Sequence, residues 1–387
     1  MDPNVSYSTA DKLLFLDHAP ALGGAERSLL LILAGLQAAG WQPHLACSAG
    51  ELAAAAPLPA GQVHSISLPC LRRSPLFLWD WWRQARQIAA LARQLQAPLY
   101  ANTVRAALYA APAARLARQP FIWHMRDFWL SEGPPRWPGL ERALKARLCR
   151  AATAVIANSH ATAAALPCLG KVTVIHNALD LKTFSEQVDS QAFRQQFKLP
   201  ANAPLVGMLG RLRPWKGQDR FLRAMSRVAA ALPEARFLIG GGAIFDVQDD
   251  YAASLQRLVN HLGLQERVVF TGQLADVRPA LAAMDVFVHP GDPEPFGLVN
   301  IEAMAMARPV VAFNHGALPE IVVHGQTGLL VPPGDEHALA AAVLELLQDP
   351  ECRAAMGAAG RQRVEKHFTV ARMVAEIEAV LQEVLAA

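Results

Sequence analysis

Two successive series of short apolar runs, each run separated from the next by a helix-length stretch, constrain the fold more than any other feature of this chain. The first series passes through Lys12–Leu16, His44–Cys47, Val63–Leu68, Leu99–Asn102, Pro120–His124, Ala154–Ala157 and Val172–His176, with helical stretches such as Ala25–Ala39 and Asp80–Gln96 between them. The second passes through Pro204–Leu209, Arg236–Ile239, Arg267–Phe270, Val286–His289, Pro309–Phe313 and Leu329–Val331. A strand that is apolar at every position is buried on both faces, so such strands spaced by helices predict a parallel sheet with helices on each side. Two series predict two doubly wound, Rossmann-like α/β domains. The boundary is expected near Ala178, giving domains at 1–178 and 179–368, and a last helix at 369–387 follows the break Lys366-His367-Phe368-Thr369.

The 387 residues are 52% hydrophobic and 18% charged, which supplies two large cores and excludes a disordered or collagen-like chain. Five cysteines, at 47, 70, 149, 168 and 352, form an odd, scattered set without a Cys-x-x-Cys pair. Neither a disulfide framework nor a zinc knuckle is signalled, and reduced thiols in a cytoplasmic protein are expected. No run approaches the roughly 18 apolar residues of a membrane span, and the polar stretch Met1–Ala10 lacks the blocks of a signal peptide, so a soluble or peripheral protein is expected. The net charge of +3 is unevenly spread: Met1–Ala178 carries 17 Lys and Arg against 9 Asp and Glu, and seven of the eight tryptophans lie before Ala178. A basic, Trp-rich surface suits solvated arginines, an anionic membrane or nucleic acid. Nucleic acid ranks lowest because no nucleic-acid motif accompanies the charge.

Four places in the sequence suit ligand chemistry. Gly23-Gly24 follows the first strand and precedes a helix, so backbone can approach an anion there and unpaired amides can hold it, although a Gly-Gly turn is also a common tight connection. The dinucleotide fingerprint G-x-G-x-x-G and the P-loop pattern are both absent. Arg211 and Lys216, in GRLRPWKG after the strand LVGML, place a planar guanidinium and a point charge where open α/β sheets bind ligands, a pairing that suits a diphosphate. In HPGDPEPFGLVNIEAMA, Glu294 lies in a loop, Phe296-Gly297-Leu298 begins a helix and Glu302 sits eight residues beyond Glu294. Helix-start amides flanked by two carboxylates match the alternation of hydroxyl, anion and hydroxyl in a sugar joined through a diphosphate to a ribose. His124 ends the strand PFIWH at the carboxyl edge of the first sheet. Arg126 and Asp127, just beyond it, are able to pair with each other.

These residues, read with GGAERSLL, FIWHMRDFW, VIANSHATA, VIHNALDL, GRLRPWKG, VVFTGQL and EPFGLVNIEAMA in that order, resemble a retaining glycosyltransferase of family 4 with the GT-B fold. The resemblance covers nearly the whole chain. It implies two Rossmann-like domains facing across a cleft, an acceptor held by the first, a nucleoside-diphosphate sugar held by the second, and a final helix, 369–387, that joins the first. The residues implied to carry the reaction are His124, Glu294, Arg211 and Lys216: the two cations neutralise the diphosphate, Glu294 faces the donor sugar and His124 contacts it. Donor contacts are implied for Gly23, Gly24, Phe296, Gly297 and Leu298, and for Glu302 with the ribose. Two departures stand out: Arg308 where the family commonly has glycine, and His289-Pro290-Gly291-Asp292 in place of a more usual Pro-Ser.

Negative charge grows on the departing diphosphate as the glycosidic carbon becomes oxocarbenium-like, so fixed cations and helix amides stabilise the transition state more than the ground state. That chemistry needs no metal or other cofactor. The absence of any Asp-x-Asp agrees. Retention is implied by the resemblance, and attack from the same face is favoured over a covalent intermediate. On the helix Asp80–Gln96, the residues Trp81, Ala85, Ile88, Ala92 and Leu95 form one stripe, which reads as a core face, while Arg83, Arg86 and Arg93 point elsewhere. Phe77, Trp79 and Trp82 beside those arginines suit an anionic membrane surface, at the inner membrane face, where a lipid-linked or glycolipid acceptor is found. The rivals are a GT-B sugar-nucleotide epimerase and a non-catalytic sugar-nucleotide binding module; the missing fingerprint disfavours a dehydrogenase.

Overall fold

The computed structural model describes residues 12–69, 75–129, 136–184, 188–242 and 250–386. The polar opening stretch 1–10, Cys70 and Arg72 lie outside the described residues. Contacts divide the chain into two compact units, Met1–Ala178 with Val370–Ala387, and Leu179–Thr369.

The first unit runs β1 (Lys12–Leu16), α1 (Gly24–Ala38), β2 (Gln42–Cys47), α2 (Glu51–Ala55), β3 (Val63–Ser65), α3 (Pro75–Leu95), β4 (Leu99–Ala101), α4 (Val104–Ala117), β5 (Phe121–Met125), α5 (Pro138–Ala151), β6 (Ala154–Ala157), α6 (His160–Ala164) and β7 (Val172–Val174). Its seven strands are parallel, in the order β3-β2-β1-β4-β5-β6-β7. One face packs Leu14, Leu99, Phe121 and Trp123 against Ile88, Ala92, Ala106 and Tyr109 of α3 and α4. The other packs Leu13, Phe15, Tyr100 and Ile122 against Leu29, Ile32 and Leu33 of α1. The stripe Trp81, Ala85, Ile88, Ala92 and Leu95 on α3 does face the core, and Arg83, Arg86 and Arg93 are exposed.

The second unit runs α7 (Ser190–Gln196), β8 (Leu205–Leu209), α8 (Gln218–Ala231), β9 (Arg236–Gly240), α9 (Asp250–His261), β10 (Val268–Gly272), α10 (Arg278–Ala283), β11 (Val286–His289), α11 (Leu298–Ala305), β12 (Val310–Phe313), α12 (Leu318–Ile321), β13 (Gly328–Val331), α13 (Glu336–Gln348) and α14 (Pro350–His367). Its six parallel strands lie in the order β10-β9-β8-β11-β12-β13. Both sheets therefore reverse direction beside their first strand, between β1 and β4 and between β8 and β11. Helices leave opposite faces at such a switch point and open a crevice at the carboxyl ends of the strands.

The last helix, α15 (Val370–Ala386), belongs to the first unit, where Met373, Val374, Ile377, Val380, Leu381 and Val384 complete the core on the α1 face. Gly35 lets the two helices approach, since a Cβ there would stand 2.3 Å from Val374 Cγ2. Trp41 Nε1 donates to Glu378 Oε1 at 2.8 Å. Leu179 and Thr369 form an isolated parallel bridge, so the chain enters and leaves the second unit side by side.

The expectation of reduced thiols is overturned at one pair. Cys149, in the last turn of α5, forms a disulfide with Cys168, 19 residues on, with the Cα atoms 6.0 Å apart. Spacing along the chain does not reveal this pair, because β6 and α6 run between the two cysteines and bring them back together. Cys47 and Cys352 are free thiols. Among the described residues no helix is long and apolar enough to cross a membrane.

Candidate active site

Close backbone approach builds the carboxyl edge of the second sheet. Gly210 N donates to Gly240 O at 2.8 Å, and Gly241 adopts φ +137°, where a Cβ would lie 1.9 Å from Gly210 O. Beyond β8 the chain makes a short turn at Pro214–Lys216 and reaches Gly217, in the left-handed region at φ +74°. A Cβ on Gly217 would meet Pro290 O at 2.2 Å, so only glycine brings this loop against the loop after β11. Asp292 N donates to Trp215 O at 2.7 Å, and Arg220 Nη2 donates to Asp292 Oδ1 at 2.8 Å, which clamp the two loops together.

The clamp delivers Lys216 to Glu294. The ammonium bonds Glu294 Oε1, and His289 Nε2 stands 3.6 Å from the same oxygen. Gly316, at φ +57°, packs so tightly on the Glu294 backbone that a Cβ would stand 2.7 Å from its N and O, and Glu294 O accepts from Ala317 N at 3.0 Å. Burial alone would raise the Glu294 pKa, but Lys216, His289 and Arg211 together hold it below the ordinary carboxylate value. Glu294 is therefore an ionised acceptor. The Arg211 side chain is exposed, and its backbone carbonyl accepts from the buried Gln218 amide at 2.9 Å. Burial pushes His289 down to about 4, against the pull of Glu294, so the ring is neutral. Asn300 Nδ2, which donates to Gly297 O at 2.9 Å, also lies 3.3 Å from His289 Nδ1; that nitrogen accepts, and the ring proton sits on Nε2 toward Glu294.

Gly297 caps α11 at φ +86°, and a Cβ on it would touch Glu294 Cβ and Cγ at 3.7 Å. The turn before α11 and Glu294 thus form one patch with Arg211 and Lys216. Phe296 is 2% exposed and packs edge-on to Phe368 at 5.9 Å, so its ring is part of the core. Leu298 packs partly against the same core. Glu302 lies one turn along α11 and is 9% exposed.

In the first unit Gly23 caps α1, and its N–H donates to Glu26 Oε2 at 2.9 Å; Gly24 opens the helix. His124 is fully buried near the end of β5, on the sheet face that α1 covers. Arg126 does not pair with Asp127. It turns inward to Asn102, Ser28, Asn177 and His124. Asp17, directly after β1, accepts from Asn102 Nδ2 at 2.6 Å. Burial raises the Asp17 pKa, and burial together with Asp17 lifts Glu26 to about 7. Sequence reading left out Asp17, Glu26, Asn102, Tyr100 and Asn300. The signal for Asp17 and Asn102 was present: each is the first polar residue after a switch-point strand.

Residues 22–183 match the family model described as Glycosyltransferase Family 4, and residues 189–363 match Glycosyl transferases group 1. The lipopolysaccharide core biosynthesis mannosyltransferase LpsB of Rhizobium meliloti is 32% identical over 240 residues, covering 62% of this chain and 68% of that protein. The chain belongs to glycosyltransferase family 4. Another family relative, the GDP-mannose-dependent monoacylated alpha-(1-6)-phosphatidylinositol monomannoside mannosyltransferase of Corynebacterium glutamicum, is 36% identical over 217 residues. That alignment covers 53% of this chain and 55% of the relative, so the chain spans about half the length of that curated protein. Anabaena Alr3699/HepE, solved in complex with UDP and glucose, superposes with a TM-score of 0.83 at 29% identity over 96% of this chain and all of that one. The two Rossmann-like units are those of GT-B glycosyltransferases.

Proposed function

We propose that this family 4 protein is a retaining glycosyltransferase that moves a sugar from a nucleoside-diphosphate sugar to an acceptor hydroxyl without a metal. The observation that carries the reading is the cluster of Arg211, Lys216 and ionised Glu294 beside the start of α11, at the switch point of the second sheet. Arg211 offers its whole guanidinium fork to a diphosphate, and Lys216, with three N–H donors, holds Glu294 and a phosphate oxygen together. Glu294 accepts from hydroxyls of the donor sugar, backbone amides at Phe296, Gly297 and Leu298 face the phosphates, and Glu302 takes the ribose. Gly23 and Gly24 admit the phosphate from the first unit, and His124 contacts the sugar. As the glycosidic bond opens, both cations meet the growing charge on the leaving group, and same-face attack leaves the configuration unchanged.

A structural neighbour that binds UDP and glucose and relatives that use GDP-mannose both support a nucleotide-sugar donor. A thermal-shift panel of UDP, GDP and ADP with their sugars, run with and without EDTA, tests the donor, since a ligand that binds the folded form alone raises its apparent stability. Release of nucleoside diphosphate only when an acceptor alcohol is present marks transfer. Conversion of the donor into its epimer, or binding with no turnover, marks the rivals.

The acceptor reading rests on α3 and the start of α5. Leu78 is 65% and Trp79 69% exposed, with Trp82, Arg83 and Arg86 on the following turns; Trp137, which caps α5, and Leu140 in its first turn are exposed too. Amphipathic rings beside guanidinium groups suit an anionic membrane surface and so a lipid-linked or glycolipid acceptor. Sedimentation should show binding to anionic vesicles that Trp79→Ser with Trp82→Ser weakens; equal binding to neutral vesicles, or none, removes this part of the reading.

A further inference from the structure

The residues around His124 determine which of its ring nitrogens carries the proton. Arg126 has only donors. Its Nη2 lies 3.2 Å from His124 Nδ1, and the Tyr100 hydroxyl lies 2.6 Å from the same nitrogen. Were the proton on Nδ1, two N–H groups would face each other at 3.2 Å. With it on Nε2, the Nδ1 lone pair receives both donors.

The guanidinium cannot swing away to relieve a mismatch. Its Nε donates to Asn102 Oδ1 at 2.7 Å, and its Nη1 donates to Asn177 Oδ1 at 2.6 Å and to Ser28 Oγ at 3.0 Å. Asn102 is itself tied to Asp17 Oδ2. Residues following β1, β4 and β7 and a residue of α1 therefore fix the plane of the fork. His124 Nε2, by contrast, is shielded from solvent and meets no acceptor among the described residues. A buried donor in a native protein nearly always has a partner, so this N–H is reserved for something the protein itself does not supply. Burial and the adjacent guanidinium also keep the ring far below its ordinary pKa, in the neutral form.

We propose that Arg126, supported by Tyr100, is a positioning residue that locks His124 as the Nε2–H tautomer, so that His124 presents a hydrogen-bond donor, and no base, to an oxygen of the transferred sugar. The sugar contact rests on the transfer reading above; the tautomer lock stands on the protein alone. The role follows from chemistry: a neutral donor holds a sugar oxygen without adding a like charge beside the carbon that becomes oxocarbenium-like, whereas a free lone pair at Nε2 would invite protonation or attack.

Nitrogen-15 correlation spectra of the whole protein, with His124 assigned by loss of its signals in His124→Gln, read the tautomer directly. The expected result is a pyridine-type Nδ1 and a pyrrole-type Nε2 before any ligand is added. Arg126→Lys, which keeps the charge and loses the fork, and Arg126→Met should each move the ring to a mixture of tautomers. A pyrrole-type Nδ1 in the parent protein overturns the lock, and an unchanged spectrum in both variants overturns the part given to Arg126. For the sugar contact, His124→Gln retains an N–H donor and should keep transfer within about threefold, whereas His124→Leu should lose about 10- to 10²-fold, the cost of leaving one hydrogen-bonding partner unsatisfied. Equal losses in the two variants overturn the donor role. Absence of transfer by the parent protein overturns the sugar contact along with the reading it rests on, while the spectrum still judges the lock.

Discussion

Glu26 and His289 hold their neutral forms against opposite pulls of pH. Burial and Asp17 raise Glu26 from 4.5 to about 7, so the stability it contributes is present below pH 4.5 and is lost as pH rises to 7. Burial lowers His289 from 6.5 to about 4, so its contribution is present above 6.5 and is lost as pH falls toward 4. Each pKa unit corresponds to about 1.4 kcal/mol, so Glu26→Gln should gain stability over the parent protein between pH 4.5 and pH 8, and urea unfolding at those two values checks the sign. In the second unit, Lys216→Ala should cut turnover by about 10²- to 10³-fold, as loss of one transition-state contact does, and Glu302→Ala should mainly raise the donor KM. Unchanged steady-state kinetics in both would remove these assignments. Arg211, Lys216 and Glu294 were legible because each follows an apolar strand run. The contact between Lys216 and Glu294 was not, since a sequence does not show which loops 78 residues apart will meet. His289 read as a departure from family habit; in the fold its ring faces Glu294.

Strands and helices were legible where burial is uniform, and their ends were not. The run Val63–Leu68 reads as one strand, yet β3 stops at Ser65, because its partner β2 ends at Cys47; Ile66 N still donates to Cys47 O at 2.9 Å, and beyond that bond Leu68 buries outside the strand. The end of α11 differs in kind. Arg308 occupies the family's glycine position, and the left-handed residue is Ala307 at φ +53°. A left-handed alanine costs about 1 kcal/mol, so Ala307→Gly should stabilise the second unit by somewhat less than that in a denaturant titration. Gly217 is the converse case. Its positive φ and its contact with Pro290 O leave no room for a side chain, so Gly217→Ala should cost about 2 kcal/mol or more and should impair donor binding by parting the two loops. If donor binding survives that change intact, the loop clamp does not position the site.

Two sheets and two cores were legible as a whole because the apolar runs fall into two series. The link between Cys149 and Cys168 was not, and it carries a prediction of its own. Closing a loop of this length restricts the unfolded chain by about 3 kcal/mol, so Cys149→Ser with Cys168→Ser should destabilise the first unit by roughly that amount under oxidising conditions and by nothing once the parent protein is reduced. The return of α15 to the first unit has a consequence for biosynthesis. The second unit is one continuous stretch, Leu179–Thr369, and is able to close its core as soon as it has left the ribosome. The first unit is made earlier but finished later, because one face of its sheet waits for Met373, Ile377 and Leu381. Maturation therefore runs against the direction of translation, and a chain that stalls before this helix carries an uncovered apolar surface by which quality control can recognise it.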